Sequence, residues 1–302
     1  MICQTITGGV TVIATSRRRA RARRVPGSGG VGHRNLRATA LAVLALLAGS
    51  AGCSSSEGAE RTVTVFAAAS LTEVFTGLGA DFEAANPGTD VRFNFGSSAT
   101  LAQQIVQGAP ADVFAAASPA TMKTVTDASL ADAPAVFARN RLQIAVPAGD
   151  PGRIGGLADL ADPRTKVALC APQVPCGAAA AKALAAAGVK VTPVTLEQDV
   201  KATLTKLVLG EVDAALVYRT DVRAAKGRSG RPSGSPAADS SAGPSAGGVE
   251  GVDFPEAGQA VNDYPIAVLR PAPAGDLARR FTDLVLSRRG RDALAAAGFE
   301  VP

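Results

Sequence analysis

Residues 64–75 read TVFAAASLTEVF. The opening of this stretch continues a β-branched and aromatic run from Thr62, which predicts a strand over Thr62–Phe66; apolar residues then recur at helical spacing, which predicts a helix over Leu71–Ala85. Three alanines and a serine make the joint. Side chains this small let another group approach the backbone closely, and Ser70 places a hydroxyl and an amide where a helix begins and N–H groups lack partners. With Glu73 three positions on, the same serine also fits the S-x-x-E capping box, its ordinary structural role.

The pattern repeats outward from this joint. Further strands are predicted at Asp90–Phe95, Val113–Ala116, Leu142–Val146, Lys166–Leu169, Val191–Val194, Ala214–Tyr218 and Ile266–Leu269. Helices are predicted at Ala99–Gln107, Pro119–Ala128, Ala178–Ala187, Val200–Leu209, Gly275–Leu286 and Arg288–Ala297. Strands alternating with helices imply an α/β fold with parallel sheets covered on both faces, and such sheets bind ligands beyond the carboxyl ends of their strands. Gly96-Ser97-Ser98, Val174-Pro175-Cys176-Gly177 and Glu197-Gln198-Asp199-Val200 are three more joints of this kind. Each helix start carries about half a positive charge, so four aimed at one point supply about two units, suited to a dianion. None of the four joints as quoted contains Lys or Arg, so the donors there are hydroxyls and amides.

The chain has 302 residues and a formal charge of +5, but the excess is local. Residues 1–52 hold eight arginines and no carboxylate; of 31 basic residues in all, 23 remain against 26 acidic ones, a net of −3. A folded body of that charge gives no support to nucleic-acid binding. Its single histidine, His33, lies in the leader, which leaves the body without His-based nucleophile activation or His-ligated metal chemistry.

Residues 1–52 read as a leader and signal peptide. Arg34 and Arg37 precede an apolar run, Ala38–Ala48, suited to a secretory signal and too short to span a membrane. Gly49-Ser50-Ala51-Gly52-Cys53 resembles a bacterial lipobox, with Ser50 where Leu is usual, so Cys53 is expected to be lipidated; the competing reading is ordinary secretory cleavage with an incidental cysteine. Residues 53–60 form a polar tether. Residues 1–30 fit no part of a signal, and Val31 is a candidate start, against the alternative of an extended basic leader. From about 226 to 250 the composition falls to Gly, Ser, Pro and Ala, which predicts a disordered insert.

TVFAAASLTEVF, FGSSATLAQQIVQGAPADVFAAAS, VPCGAAAAKAL, the segment around Asp199-Val200, and ALVYRTDV resemble, in that order, the molybdate-binding proteins that serve ATP-binding-cassette importers. The resemblance covers residues 61–302 apart from the insert. It implies a bilobed periplasmic-binding-protein type II fold, with two doubly wound, mostly parallel sheets joined by crossover hinge strands. One lobe is expected from residues 61–143 plus 265–302 and the other from 144–264, with hinges near Leu142–Val146 and Ile266–Leu269. It also implies an oxyanion site in which Ser70 and Ser98 give hydroxyl and amide, Cys176 and Val200 give amides, and Tyr218 gives its phenolic hydroxyl. The implied function is to bind molybdate, and tungstate as well, outside the cell and deliver it to an ABC permease, as a lipid-anchored monomer with no cofactor, no direct cation site and no catalysis.

Cys170 and Cys176, six residues apart in an exported protein, are expected to form a disulfide across a Pro-containing turn, against the alternative of two buried free thiols. Three rivals to the molybdate reading stay open. One is a binder of sulfate or another tetrahedral oxyanion. The second is a hydrolase using Ser70 or Ser98, which lacks a lysine base in either motif. The third is a purely structural lipoprotein.

Overall fold

The computed structural model describes residues 61–150, 152–229 and 248–302. The leader, Cys53, the tether and most of the insert lie outside the described residues.

The first sheet runs in the order β2-β1-β3-β10-β4 and takes β1 (Arg61–Ala68), β2 (Thr89–Gly96), β3 (Val113–Ala115), β4 (Ala135–Asn140) and β10 (Asn262–Val268). The second runs β7-β6-β8-β5-β9 and takes β5 (Leu142–Pro147), β6 (Val167–Cys170), β7 (Thr195–Glu197), β8 (Ala214–Tyr218) and β9 (Val249–Val252). Only Arg141 separates β4 from β5, so the chain changes sheets there and returns between β9 and β10. Each sheet is mixed. β1 pairs in parallel with β2 and β3, and β6 with β7 and β8, while β10 and β5 each make two antiparallel ladders. The antiparallel share thus exceeds what the helix–strand rhythm suggests, because the strands next to the crossovers, β5 and β10, run against their neighbours.

The helices follow the strands: α1 (Thr72–Ala85) after a 3-10 turn at Ala69–Leu71, α2 (Ser98–Val106), α3 (Pro119–Asp127), α4 (Pro175–Ala187), α5 (Val200–Val208), α6 (Arg219–Ser229), α7 (Gly275–Leu286) and α8 (Arg288–Ala297). Strand alternation sorts β1 to two sides. Val63, Val65 and Ala67 join a core with Phe75, Leu78 and Phe281, whereas Phe66 packs with Leu101, Phe114 and Met122. Burial on both faces explains the unbroken apolar runs of β3 and β8. Rings also link core to cleft: Phe75 stands 5.8 Å from Phe137, Phe137 6.3 Å from Tyr264, and Tyr264 6.1 Å from Tyr218, centroid to centroid. Burying each such ring contributes about 1.5–3 kcal/mol, so the two tyrosines are held by the core rather than by a loop.

Several elements differ from the sequence reading for identifiable reasons. The strand expected at Val191–Val194 forms instead at Thr195–Glu197, beyond Pro193, which has no N–H to give a ladder. β10 begins four residues before the expected Ile266 because its ladder shifts register between Tyr264 and Pro265, where the missing proline donor is tolerated. β4, β9 and α6 were not expected. β4 ends in Arg139-Asn140, β9 contains Gly251, and the α6 sequence RTDVRAAKGRS is too polar to show an apolar stripe. Residues 226–229 continue α6 and 249–250 begin β9, which narrows the insert at both ends.

Candidate functional site

Where strand carboxyl ends of both sheets meet, a cleft with about 230 Å³ of empty space, partly open to solvent, is lined by four joints. Ala68, Ala69 and Ser70 end β1; Gly96, Ser97 and Ser98 lead into α2; Val174, Pro175 and Cys176 open α4; Asp199 and Val200 open α5. Ala117 and Tyr218, at the end of β8, complete the wall. Ser70, Ser98, Cys176, Val200 and Tyr218, the five residues named from the sequence, all line this one cleft and are all buried.

The helix starts are largely bare. No side chain caps the turn at Ala69–Leu71, α1, α2 or α4. The expected capping box at Ser70 does not form: the 3-10 turn displaces the start of α1 to Thr72, the Ser70 hydroxyl bonds Tyr264 Oη at 2.9 Å, and Glu73 reaches Lys201. Ser97 stands at the N-cap position of α2, yet its Oγ is buried without a hydrogen-bond partner among the described residues. Of the helices that open at the cleft, α5 is capped, by Asp199, whose Oδ1 accepts from the amides of Lys201 at 2.8 Å and Ala202 at 3.0 Å. Those bonds occupy the one carboxylate among the described residues that line the cleft and leave the Val200 amide outside the cap. Unpaired N–H groups at helix starts carry partial positive charge, and buried ones require an acceptor.

The hydroxyls are supplied from behind. Ser98 Oγ accepts from the Ala117 amide at 3.0 Å. Tyr218 Oη accepts from Asn262 Nδ2 at 2.6 Å, and the same amide reaches the Pro175 carbonyl at 3.3 Å. Asn140 Nδ2 donates to Thr220 Oγ1 at 2.8 Å and to Tyr264 Oη at 3.4 Å. Burial pushes the phenols of Tyr218 and Tyr264 up from their ordinary value, so both stay protonated at neutral pH. Among the described residues no Lys, Arg or His lines the cleft. A site of neutral donors, with its one carboxylate engaged in a cap, is built to take a small anion made of acceptors.

Cys170 and Cys176 are joined by a disulfide with their Cα atoms 5.7 Å apart, bracing the loop that opens α4. Tyr264, Asn140 and Asn262 were missed by the sequence reading. One signal was available: the chain contains two tyrosines, and both reach this site. Among the described residues no cluster of three or more His, Cys, Asp or Glu is arranged to hold a metal ion, and no helix is long and apolar enough to cross a membrane.

Residues 63–300 match the bacterial extracellular solute-binding protein family. The molybdate-binding protein ModA of Mycobacterium tuberculosis H37Rv is 39% identical over 274 residues, covering 87% of this chain and 97% of its own length. Among solved structures, the periplasmic molybdate-binding protein of Azotobacter vinelandii superposes with a TM-score of 0.64 at 19% identity, covering 80% of this chain and 99% of the other. The sulfate-binding protein SubI of Mycobacterium tuberculosis superposes with a TM-score of 0.63 at 18% identity, covering 80% and 87%. These two likenesses establish the bilobed α/β binding-protein fold.

Proposed function

The chain belongs to the bacterial extracellular solute-binding proteins, and from that premise we propose that its solute is molybdate, with tungstate accepted alike, held for delivery to an ABC permease. The observation that carries this reading is the single cleft where uncapped helix starts and three buried hydroxyls, Ser70, Ser98 and Tyr218, face the same space. Each donor remains neutral, so the site satisfies a fully deprotonated oxyanion and offers little to a protonated one, which needs an acceptor for its own hydrogen. The sequence likeness to a protein named for molybdate favours that ion over sulfate; the structural neighbours, nearly equal in TM-score, do not separate the two.

In this reading the backbone amides of Ser70, Ser98, Cys176 and Val200 and the three hydroxyls surround the ion, and no bond to it is made or broken. The side chain of Cys176 is committed to the disulfide, so its part is played by the amide. Arg141 and the stretch between β9 and β10, where the chain changes sheets, serve as hinges that open and close the cleft. Lipidation at Cys53 keeps the binder at the outer face of the membrane. Thermal unfolding with molybdate, tungstate, sulfate and phosphate tests the choice of ion. A ligand at 100 times its Kd adds about 2.7 kcal/mol, so a raised midpoint with molybdate and tungstate alone is expected. A shift with sulfate or phosphate in their place would overturn the assignment.

A further inference from the structure

Resting on the oxyanion reading, we infer that Tyr264 is a positioning residue that fixes the direction of the Ser70 hydroxyl, through a relay that starts at Asn140 beside the crossover. The direction of the relay is fixed by the bonding partners at its Asn140 end. Asn140 Oδ1 accepts from the Arg141 amide at 3.0 Å, which sets the side-chain amide the right way round and points Nδ2 at Thr220 and Tyr264. An amide N–H only donates, so the Tyr264 oxygen accepts there; in the 2.9 Å bond between Tyr264 and Ser70 either oxygen can be the donor, and the relay assigns that role to Tyr264, with Ser70 Oγ accepting. Ser70 Oγ, holding that hydrogen bond as acceptor, turns its own hydrogen to the cleft. Phenol ionisation does not break the relay at neutral pH, because Tyr264 is fully buried and stays protonated.

Asn262 treats Tyr218 in the same way from the other crossover. Its Nδ2 must face the Pro175 carbonyl and the Tyr218 oxygen, so that oxygen accepts, and the Tyr218 hydrogen is left for the cleft or for the Tyr264 oxygen behind it. Asn140 ends β4 and Asn262 begins β10, so the two relays start where the chain leaves and rejoin the first sheet. Two bonds of the network, Asn140 to Thr220 and Asn262 to Tyr218, join residues on either side of the crossovers. Tyr264 does not line the cleft and has no contact with the ion; it acts by making Ser70 an obligate donor. Without it the Ser70 hydroxyl rotates and can accept, and the exclusion of protonated oxyanions weakens.

The test is a double-mutant cycle in the intact protein, with molybdate affinity and competition by phosphate at pH 6 as readouts. Tyr264→Phe removes one oxygen from a ring that keeps its packing. It is expected to raise the molybdate Kd about fivefold, the value of one oriented hydrogen bond. In a Ser70→Ala background the same substitution is expected to change nothing further, since a relay with no recipient has no effect. Phosphate at pH 6 is expected to compete better against Tyr264→Phe than against the wild type. Asn140→Ala supplies an independent break one link earlier, with an effect in the same direction. An unchanged Kd, or an equal loss in both backgrounds, would overturn the relay. A wild-type protein that takes no molybdate would remove the oxyanion reading and the relay with it.

Discussion

Lys201 Nζ lies 2.8 Å from Glu73 Oε1 on α1 and 3.1 Å from Asp221 Oδ1 on α6, one residue past Val200 in the cleft wall. Its helix, α5, belongs with the second sheet and α1 with the first, so the ion pair ties the two sides together beside the site.

Glu73→Gln should therefore weaken ligand retention. Lys201 is 24% exposed and Glu73 38%, which puts the pair in the weak, salt-screened class. The expected rise in molybdate Kd is about two- to fivefold at low salt, shrinking at high salt. Titrations at two ionic strengths check this; a loss independent of salt would contradict it.

Asp221 sets a pH dependence of stability. It is fully buried, and Lys201 Nζ, 3.1 Å from Oδ1, is the cation beside it. Burial raises its pKa from 3.8 to about 6, and Lys201 offsets part of that rise. An acid raised on folding binds protons more tightly in the folded state. Its contribution is fully present below pH 4 and is lost as pH rises through 6. Asp221→Asn should flatten the pH 4–6 part of the stability profile and raise stability at pH 7 by about 2–3 kcal/mol, measured by urea unfolding. A variant less stable than wild type at pH 7 would contradict the assignment.

Replacing both Cys170 and Cys176 by serine opens a loop with a sequence separation of six. Loop entropy for so short a span is small, about 2 kcal/mol, and that is the expected loss of stability. Molybdate binding should weaken but persist, because residue 176 contributes a main-chain amide. Complete loss of binding with the fold intact would show that the loop has no cleft-forming geometry without the disulfide.

Gly177→Ala sets two effects against each other. Alanine is favoured over glycine inside a helix by about 1 kcal/mol. The added Cβ would stand 2.0 Å from the Ala171 carbonyl oxygen and 2.7 Å from that of Cys170, both main-chain atoms that cannot swing away. The clash prevails, and a net loss of about 1–3 kcal/mol is expected by urea unfolding. A variant as stable as the wild type would contradict the close packing of this helix against the loop before it.

The joints were legible because small residues next to a helix start are a local pattern. Ser70, Ser98, Cys176, Val200 and Tyr218 came from the family resemblance of the segments that carry them, and the structure places them around one cleft. What each hydroxyl bonds was not legible. Ser70 has the sequence of a capping box, yet its partner is Tyr264, 194 positions away, and Glu73 reaches Lys201, 128 positions away. Asn140 and Asn262 sit at strand ends, where polar residues ordinarily read as turn formers. Tyr264 lies two residues before the expected strand at Ile266–Leu269 and joins β10 through the register shift at Tyr264 and Pro265.

Titration calorimetry of the protein and of Ser70→Ala with molybdate, at neutral pH and with phosphate as the control, tests the central claim most directly. The account predicts one molybdate per chain, no heat from phosphate, and a Kd raised about 10- to 100-fold in Ser70→Ala, the range for a hydrogen bond to a charged ligand. No molybdate heat in the wild type, or an unaltered Kd in Ser70→Ala, would contradict it.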